Sequence, residues 1–491
     1  MPTNSVTGGS DYIVTGTDYI IGGTDYIITV TDYRISRHSY LFMPIQISFL
    51  VAGMHCSLYF VVRVKLWLSV VYLSDSLYFC ANYNTVCNMI QENFIKIYEG
   101  SFKKNWELPA LTDYSKGTTF SFADVAKVIA RIHILFEECQ IRRGDKIALI
   151  GKDSARWCIV YMAAVTYGAI IVPILQDFSP NDVHHIINHS ESVFLFVSDR
   201  IWDTLEEEMI EDVRGVFSLS DFRCLHQRDG ESIQKLLKGM DEKMAEKYPN
   251  GFGKDDIKYA ELDNDKVVLL NYTSGTTGFS KGVMLTGNNL AGNVMYGIEL
   301  GVLYRGEREL CFLPLAHAYS CAFNFLVPMA VGAHVYLLGK VPSPKILLKA
   351  FEEVKPNLIL TVPLILEKIY KKMILPQLSK TTMKVALNIP LLDSRIYAQI
   401  RKKLVDAFGG RFREVIVGGA AMNEEVTNFL YKIKFPFTIG YGMTECGPLI
   451  SYDHNDEYVP GSCGQILKGI MKVRIDSEDP YNTVSYTHLT L

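Results

Sequence analysis

The stretch YTSGTTGFSKG, Tyr272 to Gly282, sets eight hydroxyl-bearing or glycine residues and one phenylalanine ahead of Lys281. It follows the strand-like run VVLLN and precedes VMLTGNNLAGNV, in which a helix can begin after Thr286. Closely spaced glycines let backbone N–H groups turn toward one point, hydroxyls add donors and the lysine adds charge, a set suited to polyphosphate. A nucleotide is the natural guest. The pattern is not a P-loop, because Lys281 stands between Ser280 and Gly282, and it is not G-x-G-x-x-G. A flexible surface turn would account for the glycines but not for the ordered series of Thr, Ser and Lys.

Outward from this loop the chain alternates two kinds of apolar pattern. Val125, Val128, Ile129, Ile132, Leu135, Phe136 and Cys139 recur at helical spacing, and residues 155–168 read as a helix apolar nearly all round. Short apolar runs at 146–151, 169–174, 193–198, 267–272, 334–339, 357–363, 414–420 and 437–442 read as buried strands. This alternation predicts an α/β fold with parallel sheets covered by helices on both faces. The polar stretch from about Arg228 to Asp265 interrupts the rhythm and reads as a solvated connection or surface helix.

The 491 residues carry 49 basic and 53 acidic side chains, a net charge of −4 that argues against a broadly basic nucleic-acid binder. Ten cysteines occur singly without a C-x-x-C pair, which suits a reduced, cytoplasmic interior. No H-E-x-x-H or Cys/His constellation accompanies the histidines, so zinc is not expected. The first 83 residues differ from the rest. Residues 10–37 repeat SDYIVTG-like units whose Thr, Gly and β-branched residues favour extended structure over a coiled coil. Residues 41–62 hold no charged side chain and are long enough to span a bilayer, but Pro44, Gln46 and His55 interrupt them. Two readings stand for this extension: a membrane-associated anchor, or a segment that is disordered or not natively translated.

Three further segments stand in order with the loop: LPLAHAY (313–319), VGGAAM (417–422) and GYGMTE (440–445). Together the four resemble the signatures of the adenylate-forming (AMP-binding) superfamily, and KGVMLTGNNL with FLPLAHAYSCAFNFL looks closer to its long-chain fatty acyl-CoA synthetases than to its amino-acid adenylation domains. The resemblance covers roughly 88–476. It implies the large N-terminal domain of that fold, two helix-covered sheet subdomains and the start of a small β-barrel subdomain, so that the chain divides into an atypical extension (1–83), an incomplete adenylation domain (84–476) and a non-family tail (477–491).

The implied reaction joins a fatty acid to ATP as an acyl-adenylate, releases pyrophosphate, and then transfers the acyl group to coenzyme A with loss of AMP. By resemblance Thr273, Ser274, Gly275, Thr276, Thr277, Gly278 and Lys281 cradle the β- and γ-phosphates, Thr444 touches the α-phosphate and Glu445 holds Mg²⁺, for which a carboxylate is a suitable hard ligand. Gly418, Gly419, Ala420, Tyr441 and Gly442 are implied to contact adenine or line the acyl pocket. His317 is implied to lie beside the reacting carboxylate, although a lone histidine is more often a structural residue. The family's C-terminal lid domain and its lysine are expected to be absent from this chain, making it an incomplete enzyme. An acyl-AMP ligase serving a carrier protein and a non-catalytic nucleotide- or acyl-binding fragment stand as alternatives.

Overall fold

The computed structural model describes residues 92–471 apart from 211, 229, 274–279 and 390–391, together with short backbone strands between 12 and 78, at 474–475 and at 489–490. The chain divides into two compact units, Met89–Leu467 and a second made of Met1–Asn88 with Lys468–Leu491. In the second unit each Asp-Tyr repeat opens a short strand, Tyr12–Val14, Tyr19–Ile20, Tyr26–Ile28 and Tyr33–Ile35, as its β-branched composition predicts. Within 41–62 the backbone forms the antiparallel strands Phe42–Val51 and Met54–Arg63; the side chains there lie outside the described residues. No helix among the described residues is long and apolar enough to cross a membrane.

Met89–Leu467 is built around two large sheets. In the first, Lys146–Ile150 lies between Ile170–Ile174 and Ser192–Val197, all parallel, and Gly215–Ser218 and Val267–Thr273 extend the parallel set on either side. Antiparallel strands Cys224–Gln227 and Lys281–Thr286 form the two edges. In the second, Thr118–Ser121, Pro109–Asp113, His334–Leu337 and Arg308–Cys311 adjoin in that order. A single parallel bridge from Glu309 to Leu358 joins them to the parallel set Ile359–Thr361, Val415–Val417 and Phe437–Ile439. A third, small sheet pairs Tyr441–Gly442, Leu449–Tyr452 and Gln465–Ile466 antiparallel and does not close into a barrel.

The helices follow the predicted faces. Phe122–Glu138 starts at a capping box between Ser121 and Asp124, worth about 1 kcal/mol, and buries Val125, Ile129, Ile132, Leu135 and Phe136. Ala155–Tyr167 is buried along nearly its whole circumference because it packs between Lys146–Ile150 of the first sheet and Pro109–Asp113 of the second. Gly168 ends it in the left-handed region at φ 92°, where a side chain would be strained. The polar stretch 228–265 contains the surface helices Ser232–Lys238 and Met240–Lys247.

Candidate active site

The strands Val267–Thr273 and Lys281–Thr286 pair antiparallel with Thr273 opposite Lys281, so the glycine–threonine loop closes a hairpin. The second strand is not legible in the sequence, where Val283, Met284 and Leu285 are apolar in succession and show no alternation; only its pairing with Val267–Thr273 defines it. Ser274, Gly275, Thr276, Thr277 and Gly278 lie outside the described residues. Lys281 is exposed at the foot of the hairpin. Tyr272 faces Gly282 across the pair, and a Cβ at Gly282 would lie 3.0 Å from the tyrosine ring, which is why glycine follows the lysine. The Tyr272 hydroxyl sits 2.7 Å from His189 Nδ1, and burial pushes its pKa up to about 12.

After the hairpin, Thr286 caps the helix Gly287–Glu299, the start expected from the sequence. This helix reaches the GYGMTE segment. Asn293 Nδ2 donates to the Cys446 carbonyl at 3.1 Å, and Asn293 Oδ1 accepts from the Leu449 amide at 2.8 Å. The strand Lys281–Thr286 itself packs against the 3₁₀ turn Thr444–Cys446. Thr444 is half-buried there and Glu445 is exposed. Gly442 is required by close approach, since a Cβ would meet the Pro448 carbonyl oxygen at 2.3 Å.

The remaining segments converge at the carboxyl ends of the parallel strands in the second sheet. Thr361, Val417 and Ile439 stand side by side at the last register position. Gly418 N then donates to Thr361 O at 3.1 Å, and Gly440 N to Val417 O at 2.9 Å. Gly418, Gly419 and Ala420 therefore leave the sheet beside Gly440, Tyr441 and Gly442, at the edge where open α/β sheets take ligands. Gly418 is buried, while Gly419 (φ 86°) and Ala420 are exposed.

The LPLAHAY segment covers this edge. The Tyr319 hydroxyl donates to Ile416 O at 3.1 Å, and its ring lies where a Cβ on Gly418 would come within 3.1 Å. His317 opens the helix that begins at Ala318, with its own amide closing a turn onto Pro314 O. It is exposed in part, and desolvation of the remainder draws its imidazole pKa below the ordinary value, leaving the ring neutral at pH 7. The helix continues as a π-helix over Cys321–Leu326, a local widening that often accompanies functional sites.

The family model described as "AMP-binding enzyme" matches residues 99–483. The chain belongs to the AMP-binding enzyme family. Among curated relatives, the chain is 24% identical to long-chain-fatty-acid–CoA ligase 1 of Saccharomyces cerevisiae over 71% of this chain and 54% of that protein. It is 26% identical to 4-coumarate–CoA ligase CCL1 of Humulus lupulus over 75% of this chain and 62% of that protein. It thus spans little more than half to about three-fifths of these relatives. ATP-bound MatB of Rhodopseudomonas palustris shares the fold, with a TM-score of 0.58 at 18% identity over 76% of this chain and 65% of that one.

Asn271, Asn293 and Asp153 do not stand out in the sequence, yet they fasten the LPLAHAY and GYGMTE segments to the strand, helix and loop beside them. Each left a faint signal: an amide inside the apolar run VVLLNY, a pair of asparagines four apart at 289 and 293, and a carboxylate just beyond the strand Lys146–Ile150. Asp153 Oδ1 accepts the Leu315 amide at 3.0 Å, and burial pushes its carboxyl up to about 7 against that bond.

Proposed function

We propose that the chain activates a long-chain fatty acid with ATP and passes the acyl group to coenzyme A. A carboxylate oxygen attacks the α-phosphorus, forming an acyl–O–P linkage as the bond to pyrophosphate breaks. The coenzyme A thiolate then adds to the acyl carbonyl, and AMP leaves with the electrons of the acyl–oxygen bond. The observation that carries this reading is the level ending of Val417 and Ile439, which sets Gly418–Ala420 beside Gly440–Gly442 while the strand opened by Lys281 packs on Thr444–Cys446.

In this reading Thr273 and Lys281 meet the outer phosphates, with residues 274–278 completing the cradle, and Thr444 meets the α-phosphate. Gly418, Gly419, Ala420, Tyr441 and Gly442 contact adenine or wall the acyl group. His317, neutral at pH 7, stands beside the acid without repelling or trapping it by charge. Charge neutralisation and alignment dominate such transfers, so no protein nucleophile is needed. Exposed Glu445, on a turn that adjoins the Lys281 strand, fits a hard cation by donor type and placement. A Mg²⁺ held there would neutralise phosphate charge. The fatty-acid assignment is supported by the yeast relative and the thioester acceptor by the names of both relatives.

Non-reactive acyl-sulfamoyl adenosines, which mimic the acyl-adenylate, test the reading by calorimetric titration. The palmitoyl compound should bind at least tenfold more tightly than the 4-coumaroyl compound, since each buried methylene contributes about 0.8 kcal/mol. Binding of neither would overturn adenylation, and tighter binding of the 4-coumaroyl compound would overturn the fatty-acid assignment.

A further inference from the structure

Asn271 is 3% exposed inside the strand Val267–Thr273, opposite Val283 and two residues before Thr273. A buried amide costs stability unless it is bonded. Here Nδ2 donates at 3.0 Å to the carbonyl of Ala316, the residue directly before His317. The strand that leads to the nucleotide side of the site is thereby fastened to the backbone that presents the histidine on the acid side.

The turn around His317 is held at successive peptide groups by different parts of the molecule. Ser320 Oγ donates to Leu313 O at 2.9 Å and lies 3.0 Å from Asn324 Oδ1. Asn324 Nδ2 in turn donates to fully buried Glu309 at 2.6 Å. Asp153 takes the Leu315 amide, and His317 N closes onto Pro314 O. The ties from Ser320, Asn324 and Glu309 brace the turn against the second sheet, and Asp153 braces it against the loop after Lys146–Ile150. Among these ties, Asn271 alone stands on the strand that runs into Thr273. Of the ties named here, the bond to Ala316 joins the turn directly to that strand.

We propose that Asn271 is a positioning residue that couples nucleotide binding at Thr273 and Lys281 to the placement of His317 against the acid. The proposal rests on the adenylation reading given above. A displacement of the strand on phosphate binding passes through one directional hydrogen bond to the Ala316 peptide, and so to the backbone of His317. Equally, an acid seated against His317 biases the strand toward its nucleotide-bound position, because such coupling is reciprocal.

The test uses the whole chain, α,β-methylene-ATP and palmitate, titrated calorimetrically one at a time and each in the presence of the other. In the parent each ligand should tighten the other by the same factor, fivefold or more. Asn271→Asp and Asn271→Ser, which remove the amide donor at similar or smaller size, should bring that factor below twofold while single-ligand affinities move less than threefold. Two variants are used so that one remains if the other does not fold, as judged by circular dichroism and Tm. Retention of the factor in a folded variant would overturn the coupling, as would parallel loss of both single-ligand affinities with Tm, the mark of a merely structural amide. A parent that binds both ligands without mutual tightening would overturn the coupling and leave the adenylation reading intact. A parent that binds neither would overturn both.

Discussion

Asn293 grips Cys446 across 153 residues of chain, donating to its carbonyl while accepting from the Leu449 amide. One buried side chain on the helix after the hairpin thus fixes the chain directly beyond Thr444 and Glu445, from Cys446 to Leu449. Asn293→Leu keeps the bulk but strands both backbone partners, at about 1–3 kcal/mol each. Urea unfolding should show a loss of roughly 2–4 kcal/mol, against less than about 0.5 kcal/mol for exposed Asn288→Ala. ATP affinity should fall in the first variant and hold in the second.

Gly442→Ala should be among the more damaging single-methyl additions in the molecule. Its Cβ would meet the Pro448 carbonyl oxygen at 2.3 Å, and backbone cannot swing aside as a flexible side chain can. A loss of about 1–3 kcal/mol is expected by denaturant titration. Gly100→Ala, inside the helix Phe94–Lys104 with nothing within 4 Å of the added carbon, should instead stabilise by about 0.5–1 kcal/mol.

Asp153 makes a pH prediction of definite sign. Its carboxyl is raised by burial from an ordinary 3.8 to about 7 in the folded chain, so the folded state holds a proton that the unfolded state releases. The stability this confers is complete below pH 4, is lost as pH rises from about 4 to 7, and is gone above that. Asp153→Asn lacks the slope. The stability of the variant minus that of the parent should therefore climb between pH 4 and 7 and level off. At about 1.4 kcal/mol per unit the climb is at most about 4 kcal/mol, and less because water reaches part of the carboxyl. A flat difference across that range would show the carboxyl to titrate normally.

Tyr319 and Gly418 should behave as a coupled pair. Gly418→Ala places a methyl 3.1 Å from the Tyr319 ring and should destabilise, and Tyr319→Leu should destabilise by losing the ring and its bond to Ile416 O. In the double variant the smaller side chain makes room for the methyl. The cycle should close with an interaction of about 0.5–3 kcal/mol in favour of the double variant. Strict additivity would mean that the ring does not rest on Gly418.

The contrast between Phe122–Glu138 and Asn271 shows what was legible in the sequence. The helix announces itself because its apolar residues from Val125 to Phe136 recur at helical spacing, a pattern that depends only on neighbours in the chain. The strand runs at 146–151, 169–174 and 414–420 were equally plain, for local apolar patterning decides burial. Asn271 carries no such signal: its partner Ala316 is 45 residues away, and an amide in an apolar run looks like an interruption until the partner is known. Lys281–Thr286 also gives no local strand signal, because what makes it a strand is its pairing with Val267–Thr273. The level ending of Thr361, Val417 and Ile439 is likewise a property of sheet register, which no single strand contains.

That level ending also governs where the gene can gain or lose codons. One residue added within Val415–Val417 would advance Gly418 past Gly440 by about 3.3 Å and turn the following side chains to the opposite face. A residue added after exposed Ala421, ahead of the cap Asn423 of the helix Glu424–Lys432, only lengthens a surface loop at small entropic cost. Length variation in this region should accordingly collect between the two glycine motifs and spare the strands that deliver them.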